Sequence, residues 1–182
     1  RVKTGEPGAG TKETLKSAGR AAAAGGVTTM VVQPDTDPVI DEPSLVDFIL
    51  RRARDTGLVH VYPAGAATKG LRGEEMAEIG LMHEAGARYI TDADRSILDS
   101  RVLRRVMSYA RGFGAIVAHR PADPFLTKGA AATEGEFAGR YGIPSGPAVA
   151  ERIMLERDLA LAELTGACLA ADMRQAGHDF GE

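Results

Sequence analysis

The sequence contains a single cysteine, Cys168, among its 182 residues. One cysteine excludes an internal disulfide framework and suits a reducing compartment, so we expect a cytoplasmic protein. The chain also lacks an excess of basic residues, since it has 22 Lys and Arg against 25 Asp and Glu. Without a basic excess to neutralise phosphates, nucleic acid is not expected as a main partner. No apolar run approaches the length of a membrane span and no signal peptide is visible, so no membrane association is expected either.

What remains is the composition of an ordinary globular protein, 44% hydrophobic and 26% charged. Its length is enough for one sizeable domain and too short for two large ones. The chain opens with Arg1 rather than Met, already inside a strand-like stretch. We therefore expect a fragment or a processed product of a longer protein.

One pattern recurs along the chain: a helical stretch, a glycine, and then a short apolar strand. A glycine in this place allows a helix to end in the left-handed conformation. The first four such glycines are 31, 29 and 28 residues apart, and the fifth follows after 52, so the last unit carries an insertion over about 121–145. Alternating helices and strands predict a parallel sheet covered by helices. With a first strand at Arg1–Thr4, the predicted strands are Arg1–Thr4, Val27–Val32, Leu58–Tyr62, Ala87–Ile90, Ala115–Ala118 and Ala167–Ala171.

The six predicted strands are compatible with part of a closed barrel or with an open sheet. A closed (β/α)₈ barrel needs eight strands, whereas an open doubly wound sheet needs five or six. The glycines of 5–10 are not spaced for a dinucleotide-binding turn, which weakens the nucleotide-binding form of the open sheet. Periodicity alone leaves both architectures open.

The first strand carries two cations on one side. Residues 1 and 3 of a strand point to the same face, so Arg1 and Lys3 direct their charges towards one place. Two histidines at this spacing would form half of a metal site. Two permanent cations are expected to repel a metal ion instead.

Acidic residues cluster at the expected C-terminal ends of the strands, where parallel β/α folds place their chemistry. Each is also an ordinary helix N-cap or turn residue, which is the more common role. Only one of the four histidines, His119, follows a strand, so a histidine-rich metal centre cannot be assembled. The acidic residues are Asp35, Asp37, Asp92, Asp94, Asp123 and Asp172.

Several motifs together resemble one family. They are Gly-Glu-Pro-Gly at 5–8, Ala-Gly-Gly-Val-Thr-Thr at 24–29, Gln-Pro-Asp-Thr-Asp-Pro at 33–38 and Ala-His-Arg-Pro-Ala-Asp-Pro at 118–124. Because it carries these motifs together, the chain resembles the long-form dihydroorotases of the amidohydrolase superfamily, which are related to allantoinase and hydantoinase. The resemblance implies a metal-dependent (β/α)₈ barrel of which residues 1–182 form strands 1 to 6. It also implies a small β domain and last barrel strands that this chain does not contain.

The resemblance implies a site that this chain carries only in part. On strand 1 the family has His-x-His-x-Arg, with two zinc-binding histidines and a substrate-binding arginine; here those positions are Arg1, Lys3 and Gly5. After strand 2 a substrate-binding Asn of the family is replaced by Asp35. A family metal ligand after strand 5 is matched by Asp123, which is the one candidate retained.

Two further elements of the family's site are missing from the chain. A ligand histidine expected after strand 6 is absent near Met173. The catalytic Asp after strand 8 lies beyond residue 182.

Three functions follow as hypotheses. The first is a non-catalytic dihydroorotase-like protein of pyrimidine biosynthesis without a cofactor, which the resemblance places in an oligomer with aspartate transcarbamoylase. The second is an active cyclic amidohydrolase that interconverts dihydroorotate and N-carbamoyl-aspartate, with zinc held by Asp123, His119 and residues beyond 182. The third is a barrel that binds an unrelated anion through Arg1 and Lys3.

Overall fold

A parallel sheet of five strands forms the centre of the protein, with a helix in each connection between neighbouring strands. The structure, a computed structural model, describes residues 1–173. The strands are β1 (Thr29–Val32), β2 (His60–Gly65), β3 (Tyr89–Thr91), β4 (Ile116–His119), β5 (Ala132–Thr133), β6 (Ser145–Gly146) and β7 (Leu169–Ala171). The helices are α1 (Leu15–Ala24), α2 (Pro43–Thr56), α3 (Ile79–Ala85), α4 (Ser100–Phe113), α5 (Glu136–Tyr141) and α6 (Val149–Thr165).

The strand order decides between the two architectures that the sequence leaves open. The central sheet has the order β1-β2-β3-β4-β7, and every neighbouring pair is parallel. An open doubly wound sheet reverses its strand order at a switch point, whereas the strands of a barrel follow one another in chain order. The central sheet is therefore an arc of a barrel wall, as the fold prediction required.

The predicted first strand is much shorter than expected. Of residues 1–4, only Val2 pairs with the sheet, through a parallel bridge to Val32. Its N–H donates to the Val31 carbonyl at 2.8 Å, and its own carbonyl accepts from Gln33 N–H at 3.0 Å. The chain then leaves the sheet because Gly5 N–H donates to the Glu13 carbonyl instead. The segment still occupies the position of a first barrel strand, next to β1.

Of the remaining predicted strands, β1, β2, β3 and β7 begin two residues later than the sequence predicts and β4 begins one residue later. Helix caps explain the shift at β1, β3 and β4. The N–H groups of Val27, Ala87 and Ala115 donate back to carbonyls of the preceding helices, at 2.8, 2.9 and 3.1 Å. Such bonds close a helix whose terminal glycine is left-handed, as at Gly114 with φ of 67°. The first apolar residues after each glycine thus belong to the cap and not to the strand.

The hydrophobic core lies between the helices and the outer face of the sheet. Its members include Ile49 of α2, Leu103 and Met107 of α4, and Ile90 of β3, all fully buried. Burial of this kind stabilises the fold by roughly 25 cal/mol per Å² of apolar surface. Within residues 1–173 no helix combines the length and apolar character needed to cross a membrane.

The predicted insertion forms a small unit of its own after β4. It contains α5 and the parallel pair β5–β6, in which Ala132 lies opposite Ser145 and Thr133 opposite Gly146. The sequence did not predict these two strands, since each has only two residues. The insertion leaves the sheet at the C-terminal end of β4, which is the edge where the charged residues collect.

A buried polar contact joins α6 to β4. His119, the last residue of β4, donates from Nδ1 to Asp158 Oδ2 at 2.5 Å, and its Nε2 accepts from Ile97 N–H at 2.7 Å. The imidazole is therefore the tautomer with its proton on Nδ1, because Nε2 must accept. Arg157 balances the Asp158 charge with two hydrogen bonds of 2.9 and 2.6 Å to Oδ1. His119 and Asp158 are at most 2% exposed, so this contact fixes helix, strand and loop in one arrangement.

We expect His119→Ala to lower the free energy of unfolding by about 3 kcal/mol, because it removes the hydrogen-bond partners of the buried Asp158 Oδ2 and the buried Ile97 N–H. Urea denaturation followed by circular dichroism measures the loss. The control is His60→Ala, since His60 is exposed on β2 and should change stability by less than about 0.5 kcal/mol. Equal effects of the two substitutions would contradict a structural role for His119.

Candidate functional site

Charged residues from four parts of the chain meet at the C-terminal edge of the sheet. Lys3 and Arg1 come from the first segment, Asp35 follows β1, Asp94 follows β3 and Asp172 follows β7. We call these five residues the strand-end cluster. Parallel strands direct their carboxyl ends to one edge, so residues distant in sequence come together here.

Lys3 lies between two carboxylates. Its ammonium is 2.6 Å from Asp35 Oδ2 and 2.7 Å from Asp94 Oδ2. Hydrogen bonds raise the pKa of Lys3 above its ordinary value; the bond to Asp35 has the larger effect and the bond to Asp94 the smaller. The side chain is 56% exposed, so water screens the interaction. Lys3 is therefore held as a cation that joins the ends of β1 and β3.

Arg1 makes the equivalent connection to the last strand. Its guanidinium forms an ion pair with Asp172, just after β7. Tyr89 of β3 lies beside the pair: burial raises the pKa of its hydroxyl, and the Arg1 charge opposes that rise. Arg1 thus ties the first segment to the other end of the arc.

The two cations predicted on one side of the first segment have carboxylate partners. Arg1 and Lys3 do point to the same edge, but carboxylates of Asp35, Asp94 and Asp172 pair with them. The strand-end cluster carries two positive and three negative formal charges, so it is close to neutral with a slight negative excess. This pairing also removes the basis for binding an unrelated anion there, because neither cation is left without a carboxylate.

Gly5 occupies the position where the resemblance expects a substrate-binding arginine. Its backbone is enclosed by the following turn, in which Ala9 N–H donates to the Gly5 carbonyl at 2.5 Å. A Cβ added at residue 5 would overlap the carbonyl oxygen of Ala9. The turn therefore requires glycine, and no side chain from this position can reach a ligand.

Asp123, the predicted metal ligand, forms a turn. Its Oδ1 accepts from Phe125 N–H at 2.8 Å and from Leu126 N–H at 3.2 Å, at the start of the insertion. Across residues 1–173, no three His, Cys, Asp or Glu side chains lie where they could hold a metal ion together. Met173, near the position of the expected histidine, is half-buried.

His119 is engaged on both ring nitrogens by Asp158 and Ile97, so neither is free to bind a metal in this arrangement. Its position at a strand end was visible in the sequence, but its partner was not. Asp158 could have been suspected, since it falls on the buried face of α6 together with Met154 and Leu155. An acid on a largely apolar helix face indicates a buried polar partner, and Glu151 is a second buried acid of the same helix.

Asp92 connects two neighbouring strand ends. It is 2% exposed and accepts from Ala67 N–H at 3.0 Å, from Thr68 N–H at 2.9 Å and from the Thr68 hydroxyl. Burial raises the pKa of Asp92, while these hydrogen bonds oppose the rise. With its oxygens turned towards the loop after β2, Asp92 stabilises the backbone there.

The chain is similar to known proteins over most of its length. A family model described as dihydro-orotase-like matches residues 1–171. The chain belongs to the dihydroorotase-like family. It is 47% identical to a dihydroorotase of Desulforapulum autotrophicum over 162 residues, and 43% identical to one of Solibacter usitatus over 162 residues. Each match covers 89% of this chain and 38% of the relative, so the chain spans about two-fifths of the length of these dihydroorotases.

Solved hydantoinases share the fold of this dihydroorotase-like chain. The L-hydantoinase of Arthrobacter aurescens superposes with a TM-score of 0.67 at 19% identity, covering 87% of this chain and 36% of the hydantoinase. A D-hydantoinase gives a TM-score of 0.65 at 19% identity, with 93% and 39% covered. The described arc thus has the fold of part of the hydantoinase (β/α)₈ barrel, as the fold prediction required.

We expect Lys3→Met to lower stability by about 1 kcal/mol, because Asp35 and Asp94 then face each other without the ammonium between them. Asp35→Asn in the same chain should recover part of that loss. Urea denaturation of the two single variants and the double variant gives the coupling energy. Additive effects would show that the Lys3–Asp35 contact contributes nothing to stability.

Proposed function

We propose that this chain is part of a dihydroorotase-like protein of pyrimidine biosynthesis that does not itself catalyse the hydrolase reaction. The observation that carries the proposal is the strand-end cluster. It occupies the edge of the barrel where the resemblance expects two zinc-binding histidines, and its two cations are paired with carboxylates. With these positions engaged in ion pairs, no three potential metal ligands come together among residues 1–173.

The chemistry of Arg1 and Lys3 does not fit zinc. Protein ligands of zinc are neutral imidazoles or anions, and arginine stays protonated at any ordinary pH. Lysine binds a metal only as a neutral amine. The pKa of Lys3 is raised by Asp35 and Asp94, so its environment moves it further from that neutral form.

The residues at the expected substrate-binding positions also favour a non-catalytic role. Dihydroorotate and N-carbamoyl-aspartate are both anionic, and the resemblance expects an arginine and an asparagine to hold them. Here Gly5 offers no side chain, and Asp35 presents a carboxylate that is paired with Lys3. An anionic substrate would meet negative charge in place of a guanidinium.

The partner that we propose is aspartate transcarbamoylase. Non-catalytic homologues of dihydroorotase accompany this enzyme and support its assembly in the family that the chain resembles. A barrel that keeps its wall intact while its metal-binding positions carry ion pairs suits such a supporting role.

An active cyclic amidohydrolase is the second candidate. The observation that favours it is the 47% identity to a protein named dihydroorotase, which is high for a chain that has changed its function. This candidate requires zinc ligands other than Arg1, Lys3 and the engaged His119. Zinc content and turnover separate the two candidates.

We expect the purified full-length protein that contains this chain to hold less than about 0.1 equivalent of zinc and to show no dihydroorotate hydrolysis above the uncatalysed rate. The reason is that Arg1 and Lys3, which are cations, stand at the expected zinc-binding positions. Metal analysis and a spectrophotometric assay measure both quantities. The matched control is Asp123→Ala, which should leave both values unchanged. Stoichiometric zinc with turnover, both lost in Asp123→Ala, would establish the active enzyme instead.

The proposed partnership predicts a stable complex with aspartate transcarbamoylase from the same organism. Sedimentation velocity should show the two proteins migrating together at micromolar concentration, a typical affinity for a specific interface. An active dihydroorotase barrel of the same family serves as the comparison. Independent sedimentation of the two proteins would remove this partner from the proposal.

A further inference from the structure

A groove on the outer surface runs between α4 and α6. The apolar residues that line it, which we call its floor, are Met76, Tyr109, Leu161 and Leu164. Its volume is about 910 Å³. Leu164 is 65% exposed and Tyr109 is 45% exposed, although both side chains are large and apolar over most of their surface. Exposed apolar residues that adjoin one another commonly mark an interaction site.

The wall of this α4–α6 groove is strongly basic. Arg101, Arg104 and Arg105 line it from α4, on the side of the helix opposite its buried face. The helix carries four arginines and no acidic residue. Arg101 pairs with Asp99, whereas Arg104 and Arg105 make no ion pair with any carboxylate among residues 1–173. The concentration of charge is unusual in a chain whose net charge is −3.

We propose that the α4–α6 groove binds an acidic amphipathic helix of a partner protein. Leucine-like side chains of such a helix would cover the floor at Leu161 and Leu164, and its flanking carboxylates would pair with Arg104 and Arg105. Arginine forms bidentate hydrogen bonds with carboxylates, and arginine and tyrosine are enriched at the energetic centres of interfaces. This inference does not rest on the proposed function, because it uses none of the residues of the strand-end cluster.

The chemistry of the groove favours a helix over other ligands. The backbone groups of the two helices that border it are already bonded within α4 and α6, so an extended peptide finds no free strand edge to pair with. Nucleic acid would pair with the arginines but would leave the leucines of the floor uncovered. An amphipathic helix satisfies both the charge and the apolar surface, as in other helix-in-groove complexes.

The test uses two designed helical peptides that differ only in charge. Both carry leucines at helical spacing over about five turns; one has glutamates on both flanks and the other has lysines. Fluorescence anisotropy with the whole chain should give a micromolar Kd for the acidic peptide and at least about tenfold weaker binding for the basic one. Equal affinity for the two peptides, or no saturable binding of the acidic one below about 1 mM, would overturn the proposal.

Variants assign the binding to the groove. The double reversal Arg104→Glu/Arg105→Glu should weaken the acidic peptide at least about tenfold, and Leu164→Gln should weaken it several-fold. All three side chains are exposed, so circular dichroism should be unchanged. The control is Arg51→Glu/Arg54→Glu, which reverses two exposed arginines of α2 and should leave the Kd within about twofold. Equal weakening by the control would mean that only overall charge is sensed, which would overturn the proposal.

Two other occupants are outcomes of the same experiments. A dimer in sedimentation velocity that Arg104→Glu/Arg105→Glu abolishes would assign the groove to a second copy of this chain. Tighter binding of a short DNA duplex than of the acidic peptide, also lost in that variant, would assign it to nucleic acid. Either result would overturn the proposal of an acidic helix.

Discussion

The convergence of parallel strand ends at one edge is the constraint on which the rest of this structure depends. The central strands follow chain order, so every loop after a strand opens on the same side. Arg1, Lys3, Asp35, Asp94 and Asp172 are thereby brought into contact although they span most of the chain. Charges held this close must balance, because like charges at such distances repel strongly. The strand-end cluster is the result of that balance.

The cluster gives the edge of the barrel an electrostatic connection between strands. Lys3 joins the ends of β1 and β3, and Arg1 reaches the end of β7. In the family that the chain resembles, a metal would draw the same strand ends together through its ligands. A cation on a side chain can take over that connecting role, although it cannot act as a Lewis acid.

Two buried polar contacts at strand ends serve the fold in the same way. His119 holds α6 against β4 through Asp158, and Asp92 holds the loop after β2. Both residues lie at strand ends, where catalytic groups of barrels are found, yet their polar atoms are already bonded within the protein, to α6 or to neighbouring loops. Position at a strand end is therefore not enough to identify a functional residue. The partner of each polar atom has to be known.

From the sequence alone, the glycine period determined the alternation of helices and strands, and the motifs at 5–8, 24–29, 33–38 and 118–124 determined the family. These are local properties, since a left-handed cap or a tight turn depends on a few adjacent residues. Strand order, the pairing of Lys3 with Asp35 and Asp94, and the burial of His119 against Asp158 were decided only by the tertiary structure. These side-chain pairs join residues that lie 32, 91 and 39 positions apart in the chain, and no periodicity in the sequence records which distant side chains meet. The enclosed backbone of Gly5 likewise became visible only with the turn around it.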